Sequence, residues 1–161
     1  MKKISLAILF IAFFLNKVNA QSVQTPIYKT SAGLNIEFGT GGTIVGPELK
    51  HYFDAHSAFQ TALLFGNGAT VISTFYTYNG AIKNASGLNY SLGVGPALGF
   101  SPEQNGIPSS TAFFIRPTAG LDYKISNTPL NLTFDWRPTF KVSNGSEFIP
   151  ARFGIGLRFC F

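Results

Sequence analysis

The stretch Ala151 to Phe161, A-R-F-G-I-G-L-R-F-C-F, decides the fold. Phe153, Ile155, Leu157, Phe159 and Phe161 form one apolar row, and Arg152, Gly154, Gly156, Arg158 and Cys160 occupy the row between. A strict period of two separates successive side chains onto the two faces of a β-strand and onto no face of a helix. Five large hydrophobes on one face, finishing on an aromatic, suit a sheet whose outer surface meets lipid. There only helices and closed barrels satisfy every backbone group.

The same period recurs upstream, with turn residues between the runs. Leu130, Leu132, Phe134, Trp136 and Phe140 alternate with Asn131, Thr133, Asp135, Arg137 and Lys141. Phe113, Ile115, Ala119, Leu121 and Tyr123 alternate with Arg116, Thr118, Gly120, Asp122 and Lys124. From Leu88 to Phe100, Leu, Tyr, Val, Pro and Phe alternate with Asn, Ser, Gly and Ala. Phe59, Leu63 and Phe65 stand opposite Gln60 and Ala62, Val45 to Phe53 stand opposite Gly46, Glu48, Lys50 and Tyr52, and Ala32 to Phe38 stand opposite Ser31, Gly33, Asn35 and Glu37. Thr70 to Asn79 is aromatic on both faces, so its sides are not assigned. With the terminal strand, the count is about eight.

Alternation alone does not say which row faces out, because a soluble barrel carries its apolar row inside. The second row decides. Gly, Ala and Ser fill it in the runs Leu88 to Phe100 and Ala151 to Phe161; such residues are poor choices for a water-exposed strand and fit a crowded, narrow lumen. Length agrees. Thirteen residues from Leu88 to Phe100 extend about 43 Å at ~3.3 Å per residue, and a tilt of about 40° projects this to roughly 33 Å, enough for an apolar band and its interfaces.

The terminal strand, with Phe159 and Phe161, resembles the C-terminal strand of bacterial outer-membrane β-barrels, and the chain from Gln21 onward resembles the OmpX-like and OmpA-like transmembrane barrels in pattern. The resemblance implies an all-β, up-and-down antiparallel transmembrane barrel of about eight strands in the bacterial outer membrane. It also implies that Phe159 and Phe161 serve as the assembly signal read by the barrel-assembly machinery. Membrane lipid and lipopolysaccharide are the expected surroundings, and a monomer is the expected state.

Met1 to Ala20 has Lys2 and Lys3, an apolar run from Ile4 to Leu15, and a small residue at Ala20. This reads as a cleavable signal helix, residues 1–20, ahead of a barrel domain, residues 21–161. No Cys follows the cut, so no lipoprotein anchor is expected, and the chain stops with the barrel, so no peptidoglycan-binding domain is expected. The net charge of +5 falls with the signal to nine Lys and Arg against seven Asp and Glu, a net of +2, which is no nucleic-acid footprint. A single Cys excludes an intrachain disulfide and a thiolate metal cage, and Cys160 reads as a small space-filler.

The inward row carries the chemistry. Glu37, Glu48, Asp122 and Asp135 share it with Lys50, Arg116, Lys124, Arg137, Lys141, Arg152 and Arg158. An eight-stranded barrel is filled by its own side chains, so these groups are expected to pair across the lumen as an ion-pair network. The bases outnumber the acids by three, which places unpaired cations near a mouth. A narrow channel is the alternative.

Gly46-Pro47 echoes Gly95-Pro96, and Arg116-Pro117-Thr118 echoes Arg137-Pro138-Thr139. Four prolines on the lipid row are unusual in a closed ladder, since proline donates no hydrogen bond. They read either as bulges that set curvature or as a candidate lateral seam at Pro96, Pro117 and Pro138, resembling the lipid gate of the outer-membrane palmitoyltransferase PagP. His51 lies on the lipid row and His56 in a turn, and neither sits among acids and hydroxyls as acyl transfer requires. No catalytic residue, metal ligand or cofactor is expected. A structural or surface-interaction role leads; a lipid-access or lipid A-modifying barrel is its rival. The expected outer connections are Gly39 to Thr43, Gly66 to Ala69, Ser101 to Ser110 and Ser143 to Pro150, all short and polar.

Overall fold

The computed structural model describes residues 28–103, 108–143 and 145–161. The expected signal segment, residues 1–20, and its cut before Gln21 lie outside the described residues.

Ten strands run in chain order: β1 Thr30–Gly39, β2 Ile44–Tyr52, β3 Ser57–Gly66, β4 Ala69–Ala81, β5 Leu88–Ser101, β6 Ser110–Lys124, β7 Leu130–Trp136, β8 Thr139–Lys141, β9 Glu147–Ile149 and β10 Arg152–Cys160. They form one antiparallel sheet that closes through β5–β6 pairing and through β1 against β10. β7 and β8 are two pieces of one barrel stave, and β9 and β10 two pieces of the next, so the barrel has eight staves. Closure removes the edges along the long strands, and the short β9 pairs with β8 alone among the described residues.

The distribution of side chains is inverted relative to a water-soluble barrel. Phe134, Trp136 and Leu157 are 48, 43 and 50 % exposed, whereas Arg137 and Arg158 are 0 and 1 % exposed. The alternation assigned from sequence holds along β1, β2 and β10. β4, left unassigned, turns Ser73, Phe75, Thr77 and Asn79 inward and Ile72, Tyr76 and Tyr78 outward. Its mixed pattern arises from Phe75, an aromatic buried inside the lumen. No helix among the described residues is long and apolar enough to cross a membrane.

Gly95 shows how tightly neighbouring staves approach. A Cβ there would overlap the Thr74 carbonyl on β4.

The prolines are accommodated without the expected bulges in most places. Register is the same on both sides of Pro47 between β2 and β3, of Pro96 between β4 and β5, and of Pro117 between β6 and the β7–β8 stave. A single slip of one residue occurs where Arg137-Pro138 faces Pro150-Ala151: two residues separate β7 from β8, and two separate β9 from β10, yet the pairing moves from Phe153↔Trp136 to Ile149↔Thr139. Pro138 is buried there instead of facing lipid. β9 also occupies part of the segment Ser143 to Pro150 that the sequence reading assigns wholly to a connection.

Candidate functional site

The inward rows of five staves converge on one connected set of charges. β7 delivers Asp135, and β7's last residue hands over to Arg137, which sits at the break before Pro138. β1 delivers Glu37, β2 delivers Glu48 and Lys50, β6 delivers Arg116 and Asp122, and β10 delivers Arg152 and Arg158.

Arg137 is the hub. Its Nη1 donates to Glu37 Oε1 at 2.8 Å, and its Nη2 donates to Glu48 Oε2 at 3.0 Å and Asp135 Oδ2 at 2.7 Å. Nη1 also reaches Asn35 Oδ1 at 3.3 Å. Glu37 is shared with Arg116, at 2.6 Å, and with Arg152, at 3.3 Å. Glu48 passes the chain on to Arg158 at 3.3 Å, and Arg158 reaches Asp122 at 2.8 Å. Asp122 also takes Lys50 at 2.9 Å. Nine charged groups thus form one continuous network along the lumen, with five cations and four carboxylates. A buried charge missing such partners would carry a large desolvation penalty.

Neutral groups complete it. Gln60 donates to Glu48 at 3.0 Å, and Lys50 donates to Asn79 at 2.6 Å. Asn131 donates to Asp122 and accepts from Arg158 Nε at 3.1 Å. Phe75 lies under both Arg116 and Arg137, 5.6 and 5.4 Å from the guanidinium carbons to the ring centre, within cation–π range. At one end Tyr28 donates to Asp122 Oδ2 at 2.8 Å and packs edge-on against Tyr52. Burial, followed by the adjacent Asp122 carboxylate, holds the Tyr28 hydroxyl well above its ordinary pKa, so it remains a neutral donor. At the other end Arg152 Nη1 donates to the Thr40 and Gly42 carbonyls, at 3.0 and 2.8 Å.

Two residues assigned to the network from sequence do not join it. Lys124, the last residue of β6, is solvated instead by the Ile125 and Thr128 carbonyls of its own turn. Lys141 ends the short β8 beyond the proline break, half-buried, across the ladder from Glu147, and makes no ion pair among the described residues. Conversely, Tyr28, Asn35, Gln60, Phe75, Asn79 and Asn131 join the network although none carries a formal charge. For Asn35, Gln60 and Asn131 the signal is their place in the inward row; Phe75 and Asn79 fall in the run whose sides the sequence leaves unassigned, and Tyr28 precedes the first run.

The expected seam also needs correction. The β5–β6 ladder runs without interruption from Leu88↔Tyr123 to Ser101↔Ser110, passing through Pro96↔Ile115. Pro96 is therefore no opening. The interruption lies between β6 and the next stave, from Arg116 to Thr118 against Arg137 to Thr139. With equal register on either side, Pro117 and Pro138 stand directly opposite one another, and neither offers an N–H. Arg116 Nε donates across this interval to Thr139 Oγ1 at 3.0 Å.

His51 is exposed on the outer row, 2.8 Å from Thr30 Oγ1, and His56 lies in a turn beside the Asn79 carbonyl. Among the described residues no group of three His, Cys, Asp or Glu is placed to hold a metal ion. Phe159 and Phe161 are exposed on the outer surface, with the backbone of Phe161 paired to Thr30.

No family profile matches the chain, and no curated protein sequence matches it. Among solved structures, the chain is similar to the N-terminal β-barrel domain of Pseudomonas aeruginosa OprF, with a TM-score of 0.61 and 12% sequence identity. The similarity covers 82% of this chain and 99% of that domain. At that identity the likeness is one of fold, a closed eight-stave antiparallel β-barrel.

Proposed function

We propose that the protein is an integral barrel of the bacterial outer membrane whose lumen is closed by its own ion pairs, with a structural or surface-interaction role and no catalysis. The nine-member charge network is the observation that carries this reading. Its members are buried and connected, as a plug requires, whereas a conducting path needs water-accessible charges. The apolar outer surface and the OprF-like fold support the location. Membrane lipid and lipopolysaccharide are the proposed neighbours, the monomer is the proposed state, and the exposed Phe159 and Phe161 are the proposed assembly signal.

Purified barrel in planar bilayers is expected to carry no steady ion current, and a sustained conductance overturns the plug in favour of the narrow channel. Removing Phe161 is expected to lower the amount assembled in cells while leaving detergent refolding intact. Equal assembly of both chains would refute the signal.

The lipid-access reading has one observation in its favour, the ladder interruption where Pro117 opposes Pro138. Against it stand the Arg116–Thr139 bridge and the burial of Pro138. Lipid A acylation unchanged between cells with and without the protein removes it.

A further inference from the structure

The lumen network is one carboxylate short, and the shortage is localised. Asp122 serves Lys50, Glu48 serves Arg158, and Asp135 serves Arg137. Glu37 is left to serve Arg116 and Arg152 together, and Arg137 besides. Its Oε1 accepts from Arg116 and Arg137, and its Oε2 from Arg116 and Arg152, so neither oxygen has capacity to spare. The uncompensated positive charge therefore lies with Arg116 and Arg152.

Those two guanidiniums line a cavity of about 200 Å³ at the end of the barrel formed by the β1–β2 and β3–β4 turns. The volume far exceeds the ~30 Å³ that one water occupies in the liquid. Glu37, already held by those guanidiniums, lines it too, and Ile44, Val71, Phe114 and Ile149 supply an apolar part of the lining. The lining thus sets two guanidiniums against a single carboxylate beside apolar side chains, and is one negative charge short.

We propose that this vestibule binds a small organic monocarboxylate with an apolar body. The carboxylate accepts from the N–H groups of Arg116 and Arg152 that Glu37, Thr139, Thr40 and Gly42 leave over, and becomes the fifth anion of the network. The ring or short alkyl chain lies against the aliphatic and aromatic walls. Inorganic anions satisfy the charge and leave those walls wet, so the site discriminates against them.

The test uses the folded barrel in detergent micelles, with benzoate as probe and the neutral benzamide and the short acetate as comparators. The signals followed are the methyl resonances of Ile44, Val71 and Ile149. Benzoate is expected to saturate, with binding at least about tenfold tighter than either comparator. Ile149→Trp, which fills the cavity and leaves both arginines in place, is expected to weaken benzoate at least about tenfold, as is Arg152→Gln. Should Arg152→Gln not fold, Ile149→Trp and the benzamide comparison decide the matter. Equal titration by benzoate and benzamide would mean apolar partition only; acetate matching benzoate would mean an unselective charge; and an unaffected Ile149→Trp would place binding elsewhere. Each of these overturns the proposal. None touches the closed-lumen reading, which conductance tests separately.

Discussion

Two neighbouring seams of the barrel are held in different ways. Between β5 and β6 the backbone pairs without a gap over the whole length of both strands, Pro96 and Pro117 included. One stave further, β6 meets β7 and β8 through an interrupted ladder in which Pro117 faces Pro138. The lumen chemistry concentrates at the second seam. Arg116 and Arg137 each immediately precede one of those prolines, Arg152 follows the Pro150-Ala151 break, and the Arg137 amide donates to the Arg152 carbonyl at 2.8 Å. Where the backbone withholds its hydrogen bonds, charged side chains crossing the lumen tie the staves together. The residue before a proline is driven to extended conformations, which keeps both arginines in line with their strands and aimed inward.

The sharpest way to break this comparison is Arg137→Ala. Three carboxylates, Glu37, Glu48 and Asp135, would lose their shared cation, and removing one partner from a buried network costs about 3–5 kcal/mol. The folded, heat-resistant form on a gel is expected to give way at clearly lower temperature or denaturant. A variant as resistant as wild type would remove the network from any role in cohesion.

Gly95→Ala probes the other margin of β5, where it meets β4. The added methyl meets the Thr74 carbonyl, and overpacking of this kind costs about 1–3 kcal/mol. A denaturation midpoint equal to that of wild type would show that the close approach of β4 and β5 is not required.

Amide hydrogen exchange compares the two seams directly. Amides of β5 between Gly93 and Gly99 are expected to exchange at least about tenfold more slowly than those of Thr139 to Lys141, because opening free energies follow local pairing. Uniform protection would abolish the contrast.

The smallest effect is expected at Asp54, in the exposed β2–β3 turn. Its carboxylate accepts from the His56 and Ser57 amides at 2.7 and 2.6 Å, and the first of these above all holds its pKa below the ordinary value. A depressed carboxyl pKa adds stability above the unfolded value, and that contribution disappears as pH falls through the folded one. The stability difference between wild type and Asp54→Asn should therefore shrink on acidification. A difference independent of pH would refute the linkage.

Much of this was legible in the sequence, for a physical reason. A narrow barrel in lipid needs large apolar groups outside and small or ionic groups inside, so the alternation of Ala151 to Phe161 carries both architecture and face. Legibility failed where that division failed. Phe75 is an aromatic in the lumen, and it made the sides of β4 ambiguous. The rows predicted which charges point inward but not which meet, because partners such as Arg152 and Glu37 lie 115 residues apart and are brought together by closure alone. Alternation also passes unbroken through Trp136 to Phe140, concealing the one-residue slip opposite Pro150.

The first stave completes its pairing with the last one: Thr30 exchanges two backbone hydrogen bonds with Phe161. The sheet therefore closes only when these two staves, the most distant in sequence, have met, and every less complete stage carries two adhesive margins. A closing contact of such sequence separation is costly in loop entropy, so the barrel completes itself late and its open margins persist until then.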